Sequence, residues 1–131
     1  MNNGFLSFSL YGSNPEMDKL VDSKDINDNF KAIDLHYGID KLINSKNDLV
    51  KTHIAKKGFY LDKLVKDPSF MVRVAVASNG YSLSRLAKDK NYQVRLEVVK
   101  QGYYDDNLLN DDNEYVKFVA RNAKYKSEKG V

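Results

Sequence analysis

The sequence predicts an all-α fold, a short right-handed α-solenoid of about four two-helix repeats with a divergent N-terminal cap. A period of 22 residues divides the chain into blocks 36–57, 58–79, 80–101 and 102–123. Apolar side chains recur at fixed positions of the block, and helix-start and helix-stop signals recur in the same register. Units this small cannot bury their apolar faces alone, so they must stack in a row.

Three positions of the block hold the same kind of side chain throughout. Position two is aromatic, position seven is leucine and position fifteen is valine. The series are Tyr37, Phe59, Tyr81 and Tyr103, continued by Tyr125; Leu42, Leu64, Leu86 and Leu108; and Val50, Val72, Val94 and Val116. Aromatic platforms can stack exposed bases. An aromatic beside a helix-ending glycine more often fills the gap between repeats, so we interpret this series as packing.

Each block reads as two short helices. The first is carried by IDKLIN, LDKLVK, LSRLAK and DNLLN, where apolar residues lie three and four apart. The second is predicted to run from about residue 46, 68, 90 or 112 to the end of its block. Its expected N-caps are Ser45, Asp67, Asp89 and Asp111, with Pro68 at a first helical position. Its expected stops, in three blocks, are Gly58, Gly80 and Gly102.

Apolar pairs four residues apart line one face of each second helix. They are Val50 and Ile54, Val72 and Val76, Val94 and Val98, and Val116 and Ala120. Helices of about ten residues are marginal in water alone, so their stability must come from packing between repeats.

The two ends of the chain depart from the period. Residues 15–35 match the block only in their first half, and we predict that they form the divergent capping repeat. Residues 1–14 alternate apolar and polar side chains, which favours an N-terminal arm or a short strand. Residues 124–131 are expected to be a frayed tail.

A resemblance to HEAT-like repeats is carried by DPSFMVRVAVA (67–77) and its echoes DKNYQVRLEVV (89–99) and DDNEYVKFVAR (111–121). The short period is closest to the variant leucine-rich repeat group, and it implies that one helix per repeat is a single turn or a 3₁₀ segment. The resemblance implies an α-solenoid scaffold that serves many partners. Some variant leucine-rich repeat proteins hold an iron–sulfur cluster on cysteines, a feature that a chain without cysteine cannot share.

Composition narrows the function classes. The chain has no cysteine, which excludes disulfides and thiolate chemistry and agrees with a cytoplasmic location. No apolar run is long enough for a membrane span. Residues 46–101 carry twelve Lys or Arg against five acids, whereas residues 1–45 and 102–131 are net acidic. A basic middle of this kind can attract an acidic partner if its side chains share a face.

Two sets of basic residues have different interpretations. The ladder Lys51, Arg73, Arg95 and Lys117 recurs once per block. In HEAT-like families this cation tends to pair with the Asp six residues before it, within or between repeats, which here implies Asp67, Asp89 and Asp111. The charges outside the ladder are not needed for the fold. Most lysines of a protein only form a solvated face, but a ligand site, if present, is expected among these residues. The candidate binding residues are therefore Lys56, Lys57, Lys66, Lys88, Lys90 and Lys100, with Tyr92 and Tyr104 as less regular aromatics.

Catalytic patterns find no support in the sequence. His36 and His53 lack partners at metal-ligand spacing, and no phosphate loop or nucleophile elbow occurs. We therefore expect a non-enzymatic module without cofactor or metal that binds another protein, as an inhibitor or adaptor. The alternative is a nucleic-acid-binding protein that contacts phosphates through its basic central repeats.

Overall fold

The structure, a computed structural model, describes residues 14–130. These residues form ten α-helices and no strand, so the predicted all-α class is confirmed. The proposed arm at residues 1–14 lies outside the described residues except for Asn14, which caps the first helix. The chain divides into two compact units, Met1–Tyr60 and Leu61–Val131.

The described part of the first unit, residues 14–60, contains four helices. They are α1 (Pro15–Asp22), α2 (Ile26–Asp34), α3 (Ile39–Leu42) and α4 (Asp48–Lys56). Helix α2 packs against both α1 and α4. The core of this unit is fully buried at Ala32, Ile33, Ile39, Val50 and Ile54.

Residues 61–130, the described part of the second unit, contain six helices. They are α5 (Leu61–Leu64), α6 (Phe70–Ser78), α7 (Leu83–Leu86), α8 (Tyr92–Lys100), α9 (Asp106–Leu109) and α10 (Glu114–Lys129). Helix α6 packs against α8, and α8 packs against α10. Between them lie the fully buried side chains Val72, Val76, Val94, Val98, Val116 and Ala120.

The helices follow the register of the blocks. Each block contains one four-residue helix, and the short period had implied a single turn of this kind. Three blocks then contain a nine-residue helix. All eight residues of the predicted apolar pairs have no exposed surface, which confirms the assignment of the buried face. Burial of this face supplies the stability that such short helices lack alone.

The predicted starts of the second helices were wrong by two residues. Their N-caps are Asn47, Ser69, Asn91 and Asn113. The expected caps instead lie two residues before the observed ones, where Asp89, for example, accepts a hydrogen bond of 2.9 Å from the N–H of Asn91. Asn91 in turn accepts one of 2.7 Å from the N–H of Gln93. Two successive side-chain turns thus lead into α8. Before α6, Pro68 precedes the cap Ser69 rather than following it.

The predicted helix stops are confirmed in their geometry. Gly58 has φ +86°. Its N–H donates to the Ala55 carbonyl, and the N–H of Phe59 donates to the Ile54 carbonyl. This pair of bonds is a Schellman motif. His36 occupies the same block position at the end of α2 with φ +58° and the same two bonds. A non-glycine residue is therefore held in the left-handed region there.

The prediction of a frayed tail was wrong for most of residues 124–131. Helix α10 continues to Lys129 and is capped by Gly130 at φ +72°. The reason lies in the sequence, because no glycine or proline interrupts residues 114–129.

A glycine at Ser82 is expected to stabilise the protein. Ser82 caps α7 with φ +56° and makes no side-chain capping bond. Relief of a left-handed conformation worth about 1–2 kcal/mol outweighs the entropic cost of glycine, about 0.5–1 kcal/mol. Urea denaturation should therefore give a small gain for Ser82→Gly. Ser84→Gly, inside α7, is the control and should lose stability; a loss for both variants would contradict this account.

Candidate functional site

A basic groove lies in the second unit. It has a volume of about 540 Å³ and is lined by Val65, Lys66, Asp67, Pro68, Arg73, Arg85, Leu86, Lys88, Asp89 and Lys90. Most of these residues come from the connections that precede α6 and α8, and α7 supplies Arg85. Lys66 and Lys88 hold the same position in successive blocks. The repeat therefore places two equivalent connections, with their lysines, at one groove.

The floor of the basic groove is a buried ion pair. Arg73 Nε donates to Asp89 Oδ2 at 2.8 Å, and Nη2 donates to Oδ1 at 3.1 Å. The Nη1 group donates to the carbonyls of Asp67 and Pro68 at 2.8 and 3.0 Å. The side chains of Arg73 and Asp89 are only 8% and 9% exposed. This bidentate arrangement satisfies the guanidinium, so Arg73 fixes the two connections in place.

The same arrangement recurs one block later. Arg95 donates to Asp111 at 2.8 and 2.9 Å, and its Nη1 donates to the Asp89 carbonyl at 2.7 Å. In both cases the arginine binds the carboxylate of the following block and also the backbone carbonyl of the Asp six residues earlier. The two lysines of the ladder form pairs within their own helices, Lys51 with Asp48 at 3.6 Å and Lys117 with Glu114 at 2.9 Å.

The Arg–Asp pairs shift the pKa values of their carboxyl groups. Burial raises the pKa of Asp89, but hydrogen bonds from Arg73 and from the N–H of Asn91 outweigh it, so the net pKa lies below 3.8. Asp111 behaves in the same way, with Arg95 and the N–H of Asn113 as donors. Both carboxylates are thus held in their charged form.

Acid is expected to remove the stability that these pairs contribute. Because the folded-state pKa is lowered, the contribution is fully present above the unfolded pKa and is lost as the pH falls through the folded value, below about pH 4. Urea midpoints measured across this range should fall. The double variant Asp89→Asn, Asp111→Asn is the comparison and should lose less on acidification. Equal losses in both proteins would show that other groups dominate.

Four cations at the basic groove remain available to a ligand. Lys66, Arg85, Lys88 and Lys90 line it, and all four are exposed. None of them forms an ion pair with any residue between 14 and 130. With Arg73 they outnumber the carboxylates of Asp67 and Asp89 by five to two. The groove therefore carries a net positive charge that an anionic group can neutralise.

Arg85 was missed by the sequence analysis. It lies in the first helix of its block, at the position of Lys41 and Lys63 in the two preceding blocks. The recurrence of a basic residue at this position was the available signal. The sequence did not show that this position lies at the same groove as the connection between α7 and α8.

The other candidate binding residues are not among those that line the basic groove. Lys56 and Lys57 end α4 in the first unit, where Lys57 pairs with Asp34 at 3.2 Å. Lys100 is the last residue of α8, and Tyr92 is the first, with 42% of its surface exposed. Tyr104 is half-buried before α9. The structure thus brings together three of the eight candidates, Lys66, Lys88 and Lys90.

The aromatic series is not uniform in its burial. Tyr37 is 5% exposed, and its hydroxyl accepts from the N–H of Asn14 and donates to Asp18. This bond to Asp18 raises the pKa of Tyr37. Phe59 and Tyr103 are half-buried, whereas Tyr81 and Tyr125 are exposed. The packing interpretation fits the first of these residues best and does not describe Tyr125.

A second polar cluster surrounds His53 in the first unit. Its ring stacks on the ring of Phe30, with the two ring centroids 4.4 Å apart, and its Nε2 donates to Oδ1 of Asp34 at 2.8 Å. This hydrogen bond lowers the pKa of Asp34 against the effect of burial. Residues 14–130 contain no group of three or more His, Cys, Asp or Glu side chains that could hold a metal ion.

In comparisons with known proteins, the chain matches no protein-family model, no curated protein and no solved structure. Within the described helices, none has the length and apolar character needed to cross a membrane. The function must therefore be inferred from the residues and their geometry.

Proposed function

We propose that this protein is a non-enzymatic binding module, a small cytoplasmic inhibitor or adaptor that contacts an acidic surface of another protein. Its scaffold is a right-handed α-solenoid of four HEAT-like repeats behind the capping repeat 15–35. Support comes from the 22-residue recurrence of one short and one longer helix and from the resemblance of residues 67–77 to HEAT-like sequences. Stacked repeats offer extended binding surfaces.

The convergence of four exposed cations at the basic groove, none of them in an ion pair within residues 14–130, carries this proposal. Arg and Lys side chains recognise carboxylates because they donate charge-assisted hydrogen bonds. The groove is anchored by the Arg73–Asp89 pair, so its basic side chains project from ordered connections. A prearranged site loses less conformational entropy on binding than a mobile one.

An acidic protein segment suits this groove better than a nucleic acid. Duplex DNA presents a regular row of phosphates and favours a long, uniformly basic surface. The basic groove is confined to residues 65–90 and includes the carboxylates of Asp67 and Asp89. A few discrete acidic side chains can instead contact the four cations separately.

Reversing the charge of the basic groove is expected to abolish binding of an acidic peptide. The probe is a fluorescent oligoglutamate peptide, titrated into the full chain and followed by anisotropy. The variant carries Lys66→Glu, Lys88→Glu and Lys90→Glu, three exposed changes away from the core. The control carries Lys46→Glu, Lys63→Glu and Lys124→Glu, which change the net charge equally outside the groove. Equal weakening of peptide binding by both variants would show that net charge alone causes the effect and would overturn the proposal.

Duplex DNA provides the competing test for the alternative function. Contact with four phosphates predicts that affinity falls with salt with a logarithmic slope of about −3 to −4. Binding of DNA with this slope, stronger than binding of the peptide and lost in the groove variant, would replace the protein-binding proposal with nucleic-acid binding. Weak DNA binding that both variants reduce equally would support the protein partner.

A further inference from the structure

Helix α10 differs from the other long helices of the blocks. It has sixteen residues, whereas α4, α6 and α8 have nine each. Its buried face includes Val116 and Ala120, and it packs against α8. The opposite face exposes Phe118 at 67% and Tyr125 at 58%. These two aromatics lie seven residues apart, so they share one side of the helix.

The position of Phe118 is covered in the two preceding blocks. Its equivalents, Val74 in α6 and Leu96 in α8, are half-buried. Each of those helices packs against the helix of the next block. No further helix follows α10 among the described residues, which leaves an apolar position uncovered at the end of the series. Apolar surface left exposed along one side of a helix is a candidate interaction site.

We propose that α10 of a second copy covers this face, in an antiparallel pair around a twofold axis. An axis between Arg121 and Asn122 would place Phe118 of each copy against Tyr125 of the other. The pair closes on itself because both copies use the same surface, which gives a dimer and not a filament. The aromatic rings would then bury surface that the isolated chain exposes to water.

Charge complementarity favours the second copy as the occupant. Glu114 lies in the first turn of α10, and Lys126 and Lys129 lie in its last turn. Antiparallel pairing places Glu114 of one copy near Lys129 of the other and opposes the two helix dipoles favourably. Arg121, near the axis, is bound to the Leu109 carbonyl at 2.8 Å and to Asn110 at 3.2 Å, which directs its guanidinium toward α9. Like charges therefore do not meet at the axis.

The surface is small, so the dimer is expected to be weak. One face of a sixteen-residue helix offers less than the roughly 800 Å² per partner of a standard stable interface. We therefore expect a dissociation constant in the micromolar range, so that the proportion of monomer and dimer changes with protein concentration.

Sedimentation velocity of the full chain tests the face. The wild type is expected to shift from monomer to dimer as its concentration rises through the micromolar range. Phe118→Lys should remain monomeric. Because Phe118 is highly exposed, the substitution should leave the fold intact, which circular dichroism can check. Tyr92→Lys, at an exposed aromatic on α8, is the matched control and should dimerise as the wild type does. A wild type that stays monomeric, or a Phe118→Lys variant that still dimerises, would overturn the proposal.

Single cysteines test the orientation, because the chain has none of its own. Asn122→Cys lies beside the proposed axis and should be joined to its own copy by a short bismaleimide. Tyr115→Cys lies far from the axis and should not be. Self-linkage of Tyr115→Cys without linkage of Asn122→Cys would indicate parallel helices and contradict the antiparallel pair. The proposal is independent of the basic groove, since none of these variants alters its lining residues.

Discussion

Replacing Gly38 by alanine is expected to destabilise the protein by about 2–5 kcal/mol. Gly38 is buried and has φ +70°, in the left-handed region that disfavours side chains. A Cβ at this position would overlap Cγ2 of Val21 and lie 3.3 Å from Cγ1. Val21 is itself buried and β-branched, so it cannot move aside freely. Both backbone strain and overpacking therefore oppose the alanine.

Gly80→Ala separates these two effects. Gly80 has φ +73°, nearly the same conformation, but no atom lies within 4 Å of an added Cβ. This control should lose only the conformational part, about 1–2 kcal/mol. Urea denaturation followed by circular dichroism measures both variants. Equal losses at Gly38 and Gly80 would show that the contact with Val21 is not a constraint.

Removal of Arg73 is expected to cost about 3–5 kcal/mol of stability. The variant Arg73→Met keeps much of the side-chain volume but leaves the carboxylate of Asp89, only 9% exposed, without its partner. The carbonyls of Asp67 and Pro68 also lose their donor. An unpaired buried charge is costly because water no longer reaches it fully.

A double-mutant cycle with Asp89→Asn identifies the cause of this loss. If the buried charge is responsible, the double variant should be more stable than the two single losses add up to, by about 0.5–3 kcal/mol. The exposed ion pair of Lys41 and Asp22, at 2.6 Å, provides the surface control. Lys41→Met should cost less than about 1 kcal/mol. A loss of that size for Arg73→Met would contradict the role assigned to the buried pair.

Much of the local structure could be predicted because the signals recur. A period of 22 residues places valine, leucine and glycine at equivalent positions, and burial at Val72 and Val94 follows the predicted face. Gly58 ends its helix with φ +86°, as a glycine beside the last apolar residue indicates. These features depend on residues within one block, so a single sequence is sufficient to recognise them.

Helix starts were predicted less well because two cap residues compete. Asp67, Asp89 and Asp111 are good N-caps by type, but an Asn or Ser follows two residues later and serves as the cap in the structure. The first acid is free to bind the N–H of that cap and, at Asp89 and Asp111, the arginine of the preceding block. Residue type alone does not show which of two suitable oxygens meets the first turn.

The sequence by itself determined the helical class, the register of the helices and the buried face of each one. Those properties arise from spacing along the chain, where residues three and four apart share a side. Only the tertiary structure decided that Arg73 binds Asp89 sixteen residues later, that Arg85 joins three lysines at one groove, and that Phe118 is left uncovered. These features depend on which segments of the chain meet in space, and the local pattern of residues does not encode which segments meet.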